Sequence, residues 1–206
     1  MFEIFINDNE QAKAEEPVFN TPPFESSPPS DFLALIAECG GHSYRNGLYK
    51  VHSLGSSIHW SILIANSFGQ YKQKILPFGF DWLGRQYCLD IGNDDLIYMF
   101  DPATAEDFHL NESLEDFHNH DLVFEREDIL AETQFLDTLK LLKLTSVPFH
   151  DCIGYKIPLF LGGADKITNY EIVNMEVYWE FQLQIYKQTK DLPAGTKIGE
   201  VKFNKK

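Results

Sequence analysis

A chain of 206 residues, 44% apolar with 17 Phe, 9 Tyr and 3 Trp, is long and aromatic enough to bury a core without staples, which excludes a disordered protein. Its 31 acids against 17 bases leave a net charge of −14, which disfavours direct binding to nucleic acid or an anionic membrane because phosphates are repelled. Cys39, Cys88 and Cys152 are odd in number and far apart, so they read as reduced, buried thiols and not as a disulfide framework; with no basic leader and no span-length apolar run, the expected location is the cytoplasm.

Residues 1–30 carry five prolines and read as an extended or poorly ordered N-terminal segment, in which Phe2 to Ile6 alternates like a short strand or anchor. Ser30 is placed to cap a helix from Asp31, with Phe32, Leu33 and Ile36 on one face and Gly40-Gly41 as the stop. Gly47 to Val51 reads as a strand. Ser57 is placed to cap a second helix through Phe68, with Ile58, Ile62 and Ala65 inward.

The middle reads as a β-meander of Gln73–Phe80, Gln86–Ile91 and Leu96–Phe100, with turns at Gly84 and Gly92 to Asp95 and an end at Asp101-Pro102. The period then becomes helical. One helix is expected from Ser113 to Phe124, where Ser113 and Asp116 have capping-box spacing, and another from Asp128 to Leu144 with Ile129, Phe135, Leu136, Leu139 and Leu142 inward. Cys152–Ile157 reads as a strand, Gly162-Gly163 as a turn, and Asn174 to Thr189 as a helix burying Met175, Tyr178, Trp179, Leu183 and Tyr186. A last strand is expected at Thr196–Phe203. Without regular β–α alternation, this order predicts an α+β fold: a central, largely antiparallel sheet with flanking helices.

Charge is uneven along the chain. From Asp101 to Asp137 twelve acids face one base, Arg126, a local net of −11, whereas Lys187 to Lys206 holds six lysines against Asp191 and Glu200. The acidic block reads either as a solvated face or as a docking surface for a basic partner, led by Asp107, Glu112, Glu115, Asp116 and Asp121.

Catalytic and metal motifs are weak. His118 and His120, with Asp116 and Asp121 nearby, offer metal-ligand chemistry, but on a helix the two imidazoles point about 200° apart and read as a surface pair. Cys152 and His150 lack an orienting third group. Gly162-Gly163 lacks the lysine and spacing of a phosphate loop. Asp81 and Arg85 are spaced to pair through a turn around Trp82 and Gly84, which reads as a structural corner. Gly154, Tyr155, Pro158, Gly162 and Gly163 read as architecture too.

These segments, in order, resemble a family. Gly47-Leu48-Tyr49, Phe80 to Arg85, Asp101-Pro102, Phe117-His118-Asn119, Gly154 to Gly163, Met175 to Trp179 and Leu192 to Thr196 are similar to stretches of the bacterial immunity family that protects against type VI secretion DNase effectors. Its members join a GAD-like N-terminal half to a C-terminal immunity domain, and the resemblance spans roughly residues 30–200. It implies a GAD-like lobe over residues 31–145 and an immunity-type lobe over 146–206, sharing one core. It also implies a cytosolic antidote that binds a cognate toxin, a DNase in the best-known case, with no cofactor and no catalysis. The matching residues, Tyr178 and Trp179 among them, imply fold and not interface. The competing expectation is a small-molecule binder or enzyme with a pocket near Trp82 and Tyr155.

Overall fold

The computed structural model describes residues 1–9, 11–13, 27–193 and 195–196. At its centre is a seven-stranded meander of β1 (Gln11–Lys13), β2 (His42–Tyr44), β3 (Tyr49–Val51), β4 (Ile75–Asp81), β5 (Gln86–Asp90), β6 (Leu96–Asp101) and β7 (Glu106–Leu110). Each strand pairs antiparallel with its neighbour in sequence. A separate antiparallel pair joins β8 (Asp151–Tyr155) to β9 (Tyr170–Asn174). The helices are α1 (Glu3–Asp8), α2 (Ser30–Cys39), α3 (Leu54–Ala65), α4 (Leu114–Asp116), α5 (Leu122–Phe124), α6 (Arg126–Leu130), α7 (Glu132–Leu142) and α8 (Met175–Thr189). The fold is therefore α+β. One apolar core runs from Phe2 to Leu183, drawing on residues both before and after position 145.

Strands β4 and β5 are buried along their whole length, so both faces of the sheet are covered there. The register shifts between Pro77 and Gly79, which lets β4 carry a proline without breaking the ladder. Strand β7 was not expected: Glu106 to Leu110 is mostly exposed and shows no clean alternation, and only its pairing with β6 defines it. Strand β9 escaped notice for the same reason.

The turn between β4 and β5 ties the molecule together. Asp81 is fully buried, and its carboxylate accepts from the backbone N–H groups of Leu83 and Arg85, from Arg85 Nε at 2.5 Å and from Tyr87 Oη at 3.3 Å. Arg85 Nη2 donates to the Ile129 carbonyl and Trp82 Nε1 to the Leu130 carbonyl, at 2.9 and 2.7 Å, so the corner grips the end of α6. The Trp82 backbone bridges Leu48 and Ile153, and Trp179 of α8 donates its indole N–H to the Gly84 carbonyl at 2.7 Å. Gly84 has φ +78°, and a Cβ there would stand 3.1 Å from Cys152 Sγ. Gly154 is required differently: a Cβ would meet the Tyr178 ring at 2.8 Å. Tyr178 Oη accepts from the Tyr155 N–H, and Pro158 accepts from Gly163 N–H as the chain reverses through Gly162 at φ +85°.

Several boundaries differ from expectation, each for a local reason. Phe2 to Ile6 lies in or beside a helix, because Phe2 and Phe5 fall on one side three residues apart and both are buried. Helix α2 begins at Ser30 after Pro29, and its buried face is Phe32, Leu35 and Cys39, leaving Leu33 outside. Helix α3 is capped by Ser53, whose side chain accepts from Ser56 N–H; Ser57 is inside the helix and Ile62 is exposed. The helix expected from Asp128 breaks at Ala131, held at φ +51°, and Leu136 faces solvent. Strand β8 stops at Tyr155. The strand expected at Thr196–Phe203 lies outside the described residues apart from its first.

Replacing Asp81 with Asn should leave the largely buried Arg85 guanidinium without its charge partner and cost about 3 kcal/mol. Urea denaturation with the Asp81→Asn variant measures this; a loss below about 1 kcal/mol would show that the pair is not the structural tie described.

Candidate functional site

The acid-rich segment folds into β7, a short loop, and α4 and α5 joined by a π-helical turn, Phe117–Asp121. Ser113 caps α4, accepting from Asp116 N–H at 3.1 Å and donating to Asp116 Oδ2 at 2.7 Å. Glu112, Glu115 and Asp116 are exposed. Asp121 is mostly covered and lies 3.1 Å from His120 Nδ1. Hydrogen bonding to Asp121, with the fields of Asp121, Glu125 and Asp116, raises the pKa of the exposed His120, so three acids converge there. Asp107 stands apart on β7, where it accepts from Tyr71 Oη at 2.6 Å. Of the five acids expected to lead the face, the structure thus gathers Asp116 and Asp121 around His120, exposes Glu112 and Glu115, and engages Asp107 with Tyr71.

The π turn corrects the reading of the histidines as a surface pair. His118 is fully buried, ringed by Phe2, Phe5, Tyr49, Phe78 and Phe117 at centroid distances of 5.2–5.8 Å. Its Nδ1 bonds the Leu114 carbonyl at 2.8 Å, and Nε2 lies 3.2 Å from Tyr49 Oη. Burial, partly offset by the Leu114 carbonyl, lowers its pKa to about 4. His118 and His120 therefore cannot share a ligand, and among the described residues no three His, Cys, Asp or Glu side chains are grouped to hold a metal.

Sequence reasoning missed the ionic clasp beside this face. Asp8 pairs with Arg45 at 2.9 Å and Arg126 at 2.7 Å; Glu132 pairs with the same two arginines at 3.3 and 3.2 Å. Burial opposes the Asp8 charge, but Arg45 and Arg126 outweigh it and hold its carboxyl below the ordinary value. The clasp engages Arg126, the one base of the acidic block, leaving Glu112, Glu115, Glu125 and Asp128 to set the potential outside. Phe124, 67% exposed, lies beside the His120 ring at 5.6 Å, next to the histidine that feels Asp121, Glu125 and Asp116.

Two further clusters bring together residue types used in catalysis. Ser56 Oγ lies 2.7 Å from His52 Nδ1, and His52 Nε2 lies 2.8 Å from Gln86 Oε1. The series has the outline of a nucleophile, base and orienting group, but burial pulls His52 down to about 3 and the third group is neutral, so the imidazole is a poor base near neutrality. Cys152 is fully buried, which pushes its thiol well above the usual range despite nearby Lys50. Lys50 is itself buried, lowered to about 8 by desolvation, and donates to the Asp151 carbonyl at 2.8 Å.

A cavity of about 200 Å³ opens elsewhere than the expected Trp82–Tyr155 region: both of those side chains are enclosed, and neither lines it. Its floor is Trp60, Phe80, Phe149 and Met175. Its polar edge is His59, His150, Asn174 and Glu176, with Ser56 at the side.

The sequence profile described as T6SS immunity protein Tdi1, C-terminal, matches residues 115–186, about a third of the chain, and supports a type VI secretion immunity protein. The crystal structure of Atu4351 from Agrobacterium tumefaciens is similar in fold, with a TM-score of 0.62 at 16% identity, covering 89% of each chain. A search of curated proteins gave no match. Among the described residues no helix is long and apolar enough to cross a membrane.

The buried histidines give a pH signature. Above about 6.5, folded and unfolded chains both hold neutral imidazoles. Below it the unfolded chain takes up protons that the folded chain refuses until about 4 at His118 and about 3 at His52, so stability falls as pH falls. His118→Asn should remove up to about 1.4 kcal/mol per pH unit from that slope, read by urea denaturation between about pH 6 and about pH 4.5. An unchanged slope would place the proton uptake elsewhere.

Proposed function

We propose that the protein is a stoichiometric antidote that binds a cognate bacterial toxin in the cytoplasm and blocks it by occupancy, without turnover or cofactor, and that the toxin is a nuclease. The observation that carries this reading is the coincidence of two features. The immunity-domain match begins at residue 115, and the exposed acids from Glu115 to Asp128 fall inside it. A nuclease must carry positive charge to hold phosphates, and an acidic surface competes for that same groove.

The geometry supports a specific form of docking. Glu112, Glu115, Asp116 and Asp121 supply attraction and orientation, with Asp107 at the periphery on β7. Phe124 supplies what charge alone does not: an exposed apolar side chain beside His120 and its acids, available to be desolvated on contact. The clasp of Asp8, Arg45, Arg126 and Glu132 holds the helices that present it.

Affinity for the cognate toxin, measured by titration calorimetry at low and high salt, should fall on the order of tenfold as surface attraction is screened. Joint replacement of Glu112, Glu115, Asp116 and Asp121 by their amides should flatten that salt dependence. Phe124→Ala should weaken binding by about tenfold or more while leaving the salt slope intact. Affinity indifferent to salt and to these acids would remove the electrostatic account.

A further inference from the structure

The cavity between α3, β4 and the start of α8 has a chemistry that the acidic face does not explain. Its floor is aromatic and thioether: Trp60, Phe80, Phe149 and Met175 are all nearly buried. Among the described residues no lysine or arginine lines it, and its carboxylate is Glu176, whose side chain is 45% exposed at the edge and lies 3.3 Å from His59 Nε2. Asn174 and Ser56 are engaged in holding the wall. Asn174 accepts from Val177 N–H and donates to the His150 carbonyl, and Ser56 is bonded to His52.

An anion entering this space meets the Glu176 carboxylate, and among the described residues no lysine or arginine of the lining compensates it. A purely apolar group gains burial but nothing that orients it. A flat, weakly hydrated cation gains from both parts, stacking on the rings while pairing with Glu176. One of these rings already carries a cation, with Lys50 Nζ 5.3 Å from the Phe80 ring centre. The volume of about 200 Å³ suits one side-chain head group and not a nucleotide or extended ligand. We infer that the cavity is a receptor for a guanidinium group, supplied by an arginine side chain of the bound protein partner. This rests on the reading of the protein as an antidote to a cationic opponent, and it adds a second contact, on different elements from the acidic face.

The test has two arms. In the first, the protein alone is titrated with N-acetyl-arginine amide, following tryptophan fluorescence, with Trp60→Phe assigning the signal and N-acetyl-glutamine amide as the uncharged comparison. A saturable response to the arginine compound is expected, weakened on the order of tenfold in Glu176→Gln and abolished in Glu176→Lys. Glu176 is at the surface, and an unchanged urea midpoint in both variants confirms the fold. A response absent, or unaffected by Glu176→Gln, overturns the guanidinium site. In the second arm, Glu176→Lys should weaken binding of the cognate toxin by about tenfold. If the arginine compound binds but toxin affinity is unchanged, the occupant is a free guanidinium compound and the partner assignment is overturned. If neutralising the acidic face also leaves toxin binding unchanged, the antidote reading fails instead, while the first arm still judges the cavity.

Discussion

A carboxylate sealed away from water is tolerated only when its charge and lone pairs are met, and Asp81 meets this demand through Arg85, Tyr87 and two backbone N–H groups. Satisfying it fixes more than a turn. Because the Arg85 guanidinium has donors left over, it reaches the Ile129 carbonyl, and the neighbouring Trp82 indole takes that of Leu130. The sheet thereby holds the end of α6, while Gly84 receives Trp179 from α8. One buried ion pair thus links the meander, the helices that follow the acidic segment and the C-terminal helix.

The acidic surface depends on that anchorage and on a second one. Helix α1 inserts Phe2 and Phe5 into the aromatic ring around His118, and Asp8 closes the arginine clasp over it. The corner holds the end of α6, and the clasp holds Arg126 and Glu132, so both act on the chain that follows the π turn. Between them they hold the backbone that displays Asp116, Asp121, Phe124 and Glu125. The individual surface pairs contribute little, since exposed ion pairs are screened, but a shared network resists fraying better than isolated contacts. An antidote of the proposed kind benefits from such rigidity, because a partner that docks on a preformed surface loses less entropy on binding.

Much of the scaffold was legible because its signals are local. Gly84 and the Gly92 to Asp95 cluster mark the meander turns, and Asp81 and Arg85 are spaced to pair across one of them. Asn174 and the Met175, Tyr178, Trp179 and Leu183 spacing mark α8 and its buried face. What escaped depends on distant partners. Glu106 to Leu110 becomes a strand only because β6 offers a free edge, and the stretch after Phe2 becomes helical because an aromatic hollow built from Tyr49, Phe78, Phe117 and His118 receives Phe2 and Phe5. Ala131 carries no glycine or proline signal, yet tertiary packing holds it left-handed. His118 looked like a surface residue because ideal helical spacing says nothing of the π turn. Of the candidate face, the exposure of Glu112, Glu115 and Asp116 agreed with simple acid density, whereas the engagement of Asp107 by Tyr71 and the exposure of Phe124 beside His120 needed coordinates.

Hydrogen–deuterium exchange of the protein, free and bound to its cognate toxin, bears most directly on the claim that the surface between β7 and α6 is the contact. The account predicts slowed exchange on binding across the loop at Glu112, the π turn and α5. Exchange unaltered throughout that stretch, with protection confined to other elements, would contradict it.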